Sequence, residues 1–162
     1  MARATVTGRI AHLLSTRTPR LVDWYSGRQA ARFQASDGRR SATLNGKPIF
    51  RLTVTGRKSG EPRTVMLMLV RDTAGDGQDL LVCGSHGGAP EAPNWWKNLA
   101  ATKRASVQVG AERYDVDVRV VTEAAERRRT WAALTAAYPD FASYQALTRR
   151  ELPIAVLSRR VD

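Results

Sequence analysis

Apolar and β-branched residues recur along the middle of the chain in short runs separated by turn residues, a pattern typical of β-strands. These runs predict strands at 42–44, 48–55, 64–70, 80–83, 106–109, 114–121 and 154–157. Asn45-Gly46 predicts a tight hairpin between the first two strands. The run 64–70 is apolar almost throughout, which predicts a strand at the centre of the sheet.

Helical patterns flank these strands. Residues 1–35 predict one basic helical arm, kinked at Pro19, with an apolar face formed by Ile10, Leu13, Leu14, Leu21, Val22, Trp24 and Tyr25. Asn94 is predicted to cap a short helix over 95–102. A longer helix is predicted to end at Tyr138-Pro139, and a shorter one to cover 140–149.

This order of elements predicts an α+β protein, mainly β with added helices. Strands joined mostly by hairpins favour an antiparallel β-barrel, because a doubly wound sheet needs strands and helices in strict alternation. The length of 162 residues predicts one barrel domain over 36–162, preceded by the helical arm of 1–35.

Composition narrows the possible partners. The net charge of +11 favours an anionic partner: nucleic acid, an anionic membrane surface or an anionic small molecule. A single cysteine, Cys83, excludes an internal disulfide, and two histidines with one cysteine exclude a His- or Cys-rich zinc site. We therefore expect no bound metal. The sequence shows no signal core or apolar span, so we expect a cytoplasmic protein.

The turn over 55–63 joins two predicted strands and carries three cations. Gly56 and Gly60 allow positive φ angles that let backbone N–H groups converge on an anion. Arg57, Lys58 and Arg63 add positive charge suited to a phosphate. On charge alone, an ordinary solvated hairpin loop explains these residues equally well.

A second candidate region begins with Cys83-Gly84-Ser85-His86-Gly87-Gly88. The helix predicted after it directs its N-terminus toward this glycine-rich loop, which favours an anion. Trp95 and Trp96 are adjacent on that helix, about 100° apart. They therefore cannot both face the core, and one of them can cover a ring system.

A third region, 138–145, carries Tyr138, Phe141 and Tyr144 at intervals of three residues. Such a stripe is usual in a core, but after a proline break it can also form the wall of a pocket. The sequence contains no dinucleotide-binding, Walker, nucleophile-elbow or HExxH motif. An enzyme that lacks these catalytic motifs would depend on a bound cofactor for its chemistry.

Three of these segments together resemble the deazaflavin-dependent nitroreductase family. The resemblance rests on LTVTGRKSGEPR at 52–63, GSHGG at 84–88 and NWWKNL at 94–99, with support from 138–145 and 152–154. It extends from about residue 50 to residue 159. It implies a split β-barrel of the flavin-binding type that binds coenzyme F420, a deazaflavin with a phosphate and an oligoglutamate tail. Reduced F420 then supplies a hydride to a quinone, a nitroaromatic or a similar electron-poor acceptor.

The resemblance also implies roles for individual residues. The cofactor set comprises Arg57, Lys58, Ser59, Arg63, Thr64, Val65, Met66, Leu67, Met68, Cys83, Gly84, Ser85, His86, Gly87, Asn94, Trp95, Trp96, Lys97 and Asn98. Tyr138, Phe141 and Tyr144 would shape the acceptor pocket. Tyr138 or Ser85 would act catalytically by supplying the proton, with solvent as an equal alternative.

Two positions depart from the family pattern. His86 stands where many members have lysine, which removes a fixed charge and introduces a group that can titrate near neutral pH. Phe141 stands where some members have tyrosine, so one hydroxyl for the acceptor is lost.

Two alternatives remain open from the sequence. The first is the same barrel with FMN, whose single phosphate would satisfy the same turn. The second is a non-enzymatic basic module for nucleic acid or membrane, although the dispersed charges argue against nucleic acid. Residues 1–35 can in addition hold the protein peripherally on the inner, anionic face of a membrane. The sequence does not decide the oligomeric state.

Overall fold

The structure of the protein is a computed structural model that describes residues 5–17, 28, 30–38, 43–44, 46–74 and 77–161. Its strands are β1 Thr43–Leu44, β2 Lys47–Thr55, β3 Pro62–Met68, β4 Val70–Arg71, β5 Leu80–Cys83, β6 Arg104–Val109, β7 Glu112–Val120 and β8 Ile154–Arg159. Its helices are α1 Val6–Arg17, α2 Asn94–Thr102, α3 Ala124–Ala137 and α4 Asp140–Ala146, with a 3₁₀ turn at His86–Gly88. Residues 30–35 are also helical.

Within the described ranges, the strands form one antiparallel sheet in the order β1-β2-β6-β7-β8-β5-β4, and β3 pairs with β2. Helix α2 packs on the core inside the curved sheet through Trp96 and Leu99, and α3 and α4 pack on the other face of the sheet. The prediction of an antiparallel β protein with added helices is therefore confirmed. The predicted hairpin before β2 is confirmed by the pairing of Leu44 with Lys47, although Asn45 itself lies outside the described residues.

The prediction that 64–70 forms a central strand is wrong. The segment divides into β3 and β4, and β3 pairs with β2 on one side only. Val65 through Met68 are half-buried. Val65, Leu67 and Met68 pack partly on the core, and Val65 through Met68 also line a cavity, whose wall needs apolar side chains as a core does.

The core has two layers that share β5. Leu80 and Val82 pack inside the curved sheet with Phe50 and Leu52. The alternate residues of β5, including Leu81, face outward and pack with residues of α3 and α4, such as Leu134 and Tyr144. Strand β5, which ends at the glycine-rich loop, is therefore buried on both faces.

Two predicted boundaries need correction. Helix α2 begins at Asn94 with Pro93 in the capping position and no side-chain cap, so Asn94 belongs to the first turn. Pro93 has no N–H and its fixed φ suits a helix start, which explains the shift by one residue. Helix α4 ends at Ala146, three residues before the predicted end. In the hairpin of β6 and β7, residues 115, 117 and 119 are exposed, as the alternation predicts.

The described part of the N-terminal arm packs on the domain. The backbone N–H of Thr5 donates to Ser143 Oγ (3.0 Å), and the Thr5 hydroxyl donates to Asp140 Oδ1 (2.8 Å). His12 Nδ1 lies 2.9 Å from the carbonyl oxygen of Gly87. Pro19, the predicted kink, lies outside the described residues, and the division at residue 35 stays a prediction. Among the described helices, none is both long and apolar enough to cross a membrane.

Candidate active site

A cavity of about 990 Å³ connects the three regions singled out in the sequence. Its size is at the upper end of the range for small-molecule sites. Of the predicted site residues, the wall contains Arg57, Lys58, Ser59, Arg63, Thr64, Val65, Met66, Leu67, Met68, Cys83, Ser85, His86, Gly87, Asn94, Trp95, Asn98, Tyr138, Phe141 and Tyr144. The structure therefore brings residues from all three regions to one concave surface.

Three predicted cofactor residues lie off this wall. Trp96 is 7% exposed and belongs to the core inside the sheet, whereas Trp95 is half-buried and lines the cavity. Gly84 lies behind the wall, where an added Cβ would stand 2.8 Å from the Trp96 ring. Lys97 forms an ion pair with Glu91 (2.9 Å). The expectation that the two tryptophans face different surroundings is confirmed.

Six further wall residues were not among the predicted cofactor, acceptor or catalytic residues, although Gly56 had been singled out for the backbone of its turn: Leu44, Ile49, Gly56, Leu81, Val82 and Pro93. Most of them are strand residues whose apolar side chains are typical of a core. Only the path of the sheet around the cavity shows that they face a ligand site. Gly56 and Pro93 lie within or beside the quoted motifs and could have been selected on that ground.

The basic turn after β2 is closed by its own backbone. Gly56 N–H donates to the Glu61 carbonyl, and Gly60 N–H donates to the Gly56 carbonyl, both at 2.8 Å. Gly60 has a φ of +71°, a conformation that favours glycine. Lys58 and Arg63 are exposed, and no carboxylate among the described residues pairs with them. Both cations are thus available to an anionic ligand.

Asn98 connects this turn to helix α2. Its side chain is buried, at 6% exposure. Its Oδ1 accepts from Nη1 of Arg57 (2.7 Å) and from the Arg57 backbone N–H (3.2 Å). One buried amide therefore fixes both the backbone and the side chain of the first cation in the turn.

The glycine-rich loop has a backbone suited to an anion or a carbonyl oxygen. Ser85 is right-handed (φ −72°, ψ −43°), and His86 and Gly87 follow with φ of +49° and +60°. Successive N–H groups in this right-then-left arrangement form a concave nest. Ser85, His86 and Gly87 all lie on the cavity wall.

His86 is held from the side by its own loop. Its Nδ1 lies 3.1 Å from the Glu91 carbonyl oxygen, which can only accept, so Nδ1 carries the proton. The hydrogen bond from Lys97 is the main cause that lowers the pKa of the neighbouring Glu91.

The aromatic wall comes from the end of α3 and from α4. Tyr138 and Phe141 meet edge to face with ring centroids 5.3 Å apart, and Phe141 and Tyr144 do so at 6.3 Å. The hydroxyls of Tyr138 and Tyr144 lie 3.4 Å apart. Burial is the main cause that raises the pKa of both phenols, so both remain protonated hydrogen-bond donors across the physiological range.

Cys83 also lines the cavity but is not a candidate nucleophile. Burial raises the pKa of its thiol to about 12, and only the thiolate is a strong nucleophile. The described residues contain no cluster of His, Cys, Asp and Glu that could hold a metal ion. The wall instead offers apolar and aromatic surface, hydrogen-bond donors and cations, which are the groups that a flat, polyanionic organic cofactor requires.

The sequence matches the profile of the F420H(2)-dependent quinone reductase family over residues 24–159. An F420H(2)-dependent quinone reductase of Mycobacterium tuberculosis (strain H37Rv) is 32% identical over 131 residues, which cover 79% of this chain and 85% of that protein.

Solved structures agree with the sequence comparison. An F420-H2 dependent reductase (FDR-A) is 35% identical with a TM-score of 0.61, and covers 68% of this chain and 94% of its own. A structure described as a domain-swapped dimer is 32% identical with a TM-score of 0.64, and covers 85% of this chain and 98% of its own. These neighbours confirm the split β-barrel architecture.

Proposed function

The chain belongs to the F420H(2)-dependent quinone reductase family, and from this premise we propose that it transfers a hydride from reduced F420 to a quinone, a nitroaromatic or a similar electron-poor acceptor. It is an oxidoreductase whose cofactor is coenzyme F420. The family match favours F420 over FMN and sets aside a non-enzymatic role. One observation carries the proposal: a single cavity unites a basic turn, an N–H-rich loop, an apolar strand and an aromatic helix.

We place the charged end of the cofactor at the turn after β2. Arg57, Lys58 and Arg63 supply positive charge there, and Asn98 holds the first of them in place. Guanidinium groups can bind phosphate in bidentate fashion, and the exposed position of the turn leaves room for a chain of carboxylates. The match in charge explains part of the net charge of +11.

We place the ring system deeper, between β3 and the glycine-rich loop. Val65 through Met68 offer apolar surface, Trp95 offers an aromatic face, and the N–H groups of residues 85–87 can donate to ring carbonyl oxygens. When bound, reduced F420 supplies the hydride. The residues of this chain would bind it, orient it and exclude water, so their contribution is mainly positioning.

The acceptor would lie against Tyr138, Phe141 and Tyr144. The reduced acceptor needs a proton, which Tyr138, Ser85 or solvent can supply. The raised pKa of Tyr138 keeps its hydroxyl protonated, so that it can donate a hydrogen bond, but it makes Tyr138 a reluctant acid. We therefore assign Tyr138 the task of orienting the acceptor oxygen and favour solvent as the final source of the proton.

Parallel titrations test this function. Purified protein is titrated with F420, FMN and NADPH by fluorescence, and the ligand that binds is then tested in its reduced form with a quinone and a nitroaromatic acceptor. We expect F420 to bind best and at least one acceptor to be reduced. Stronger binding of FMN, or absence of turnover with every acceptor class, would overturn the proposal.

We further propose that the enzyme is cytoplasmic and associates peripherally with an anionic membrane through α1. Val6, Ile10, Leu13 and Leu14 are 76%, 54%, 48% and 48% exposed. They fall at the spacing of one helical face, and such a face beside a net positive charge suits an anionic bilayer. A membrane location would bring the enzyme to lipid-soluble quinones.

Flotation with phosphatidylglycerol and phosphatidylcholine vesicles tests this association. We expect the protein to float with the anionic vesicles only, and expect Leu13→Ser with Leu14→Ser to abolish it. Val161→Ser is the control, because Val161 is apolar and 94% exposed but lies at the other end of the described chain. Equal flotation of wild type and the double variant would refute the role of α1.

A further inference from the structure

Arg150 makes three hydrogen bonds to the glycine-rich loop with one guanidinium group. Nε donates to the Ala89 carbonyl (2.8 Å), Nη1 to the Gly84 carbonyl (3.1 Å) and Nη2 to the Ser85 carbonyl (2.7 Å). These acceptors lie on both sides of the 3₁₀ turn at His86–Gly88. The planar fork of one side chain thus holds the loop at its beginning and at its end.

The charge of Arg150 has no acidic partner among the described residues, since none of the ion pairs found there includes it. Burial is the main cause that lowers its pKa. The three backbone carbonyls therefore supply the hydrogen bonds that offset the loss of water around this partly buried cation.

The hydrogen bonds of Arg150 decide which way the loop presents its N–H groups. In a trans peptide the N–H points opposite to the C=O, and the described chain has no cis peptide. Because the Gly84 and Ser85 carbonyls point at Arg150, the N–H groups of Ser85 and His86 point away from it. Ser85 and His86 lie on the cavity wall.

The same arginine is braced against the acceptor side of the cavity. Gln145 of α4 donates from Nε2 to the Arg150 carbonyl and accepts from the Leu152 N–H, both at 2.9 Å. Gly88 packs so closely on α4 that an added Cβ would stand 2.5 Å from the Tyr144 carbonyl oxygen. Loop, arginine and aromatic helix are therefore joined in one unit.

We propose that Arg150 is a positioning residue that holds the loop over 84–89 in the shape that binds the cofactor and sets that loop against helix α4. This inference rests on the proposed placement of coenzyme F420 at the loop. Arg150 itself is not a wall residue of the cavity. It acts through the backbone of residues 84–89.

The test compares Arg150→Met, Arg150→Lys and the control Arg149→Met. Methionine keeps an unbranched apolar side chain but has no donor, and lysine keeps the charge without the fork. Arg149 is the neighbouring residue, is exposed and forms none of the ion pairs described. The dissociation constant of F420 is measured by fluorescence titration, together with the thermal midpoint of each variant.

We expect Arg150→Met to raise the F420 dissociation constant about 10- to 100-fold, the loss expected when a charge-assisted hydrogen bond is removed. Arg150→Lys should fall between wild type and Arg150→Met, and Arg149→Met should bind like wild type. A wild-type dissociation constant for Arg150→Met overturns the inference. Full restoration by lysine also overturns it, because charge without the fork would then suffice.

A stability control separates positioning from general weakening. Val118→Ala removes volume from the core in β7, away from the cavity wall. If Val118→Ala lowers the thermal midpoint as much as Arg150→Met and weakens F420 binding equally, affinity follows stability alone and the inference fails. Where Val118→Ala and Arg150→Met have the same thermal midpoint, we expect only Arg150→Met to weaken F420 binding.

Hydrogen exchange of the free protein tests the loop without cofactor. We expect Arg150→Met to speed amide exchange within 84–89 and to leave exchange in β7 unchanged. Unchanged exchange in the loop would refute the role of Arg150 in holding it. Failure of the wild-type protein to bind F420 would overturn the proposed function. Wild-type binding with an unaffected Arg150→Met variant would overturn only the role of Arg150.

Discussion

Simultaneous replacement of Lys58 and Arg63 by alanine should weaken F420 binding strongly. Both side chains are exposed, lie at the charged end of the cavity and have no described carboxylate partner. A phosphate and a chain of carboxylates on the ligand would be their counterparts. Removing the two cations should therefore remove two of the ion pairs that the complex forms.

The size of the effect follows from the exposure of the two groups. Fully exposed ion pairs contribute about 0.2–1 kcal/mol, and hydrogen bonds to charged groups about 1.5–3 kcal/mol. Contacts at the mouth of a cavity fall between these limits, so the pair should contribute roughly 1–3 kcal/mol in total. That energy corresponds to an increase in the dissociation constant of about 5- to 150-fold.

Fluorescence titration with F420 at low and high salt measures this loss. The control is Arg104→Ala with Arg128→Ala, which removes the same net charge from exposed positions off the cavity wall. We expect the difference between wild type and Lys58→Ala/Arg63→Ala to shrink at 1 M salt, where the screening length is about 3 Å. Unchanged affinity at low salt, or an equal loss in the control, would refute the assignment of this turn.

Three further changes test other parts of the molecule. Gly88→Ala, at a φ of +78° and with its Cβ 2.5 Å from a backbone oxygen, should lower the free energy of unfolding by about 2–4 kcal/mol in urea titrations. Gly46→Ala, at a φ of +73° in open space, should cost only about 1 kcal/mol; equal losses would contradict the close contact. Burial alone would raise the pKa of Asp72, but hydrogen bonds from Arg129 and a backbone N–H outweigh it and lower that pKa. Asp72→Asn should therefore lower the free energy of unfolding by roughly 1–3 kcal/mol at pH 7. The difference between wild type and variant should vanish as the pH falls from about 3.9, the pKa of an unfolded aspartate, through the lower pKa of the folded state. A difference that does not change with pH would contradict this reasoning. Tyr138→Phe should lower kcat up to about tenfold and leave F420 affinity unchanged in steady-state and binding assays, whereas an unchanged kcat would exclude a role for the hydroxyl.

Much of the site could be predicted from local sequence because its parts are local. In the basic turn Gly60 has a positive φ, whereas Gly56, for which the same was expected, does not. In the loop before α2, Gly87 and Gly88 have positive φ, and His86 adopts it as well. Such requirements are written in consecutive residues. The different surroundings of Trp95 and Trp96 were predictable for the same reason, because adjacent helical positions face different directions.

The contributions of Asn98 and Arg150 were not predictable from the sequence in this way. Asn98 lies 41 positions from Arg57, and Arg150 lies 61 to 66 positions from the carbonyls that it binds. Their hydrogen bonds depend on the return of distant segments to the same place. The acceptors of Arg150 are backbone atoms, which leave no residue-type signal in the sequence.

The amino-acid sequence by itself determined the antiparallel β class, the approximate positions of most strands and the glycine-containing basic turn. These features follow from alternation and turn chemistry, which act over a few residues. The family resemblance rests instead on three segments that match the family's motifs. Only the tertiary structure decided that β3 is an edge strand along a cavity and that Leu44 and Ile49 reach its wall. Burial in a core and burial against a ligand site select the same apolar side chains, so only the path of the whole chain can distinguish them.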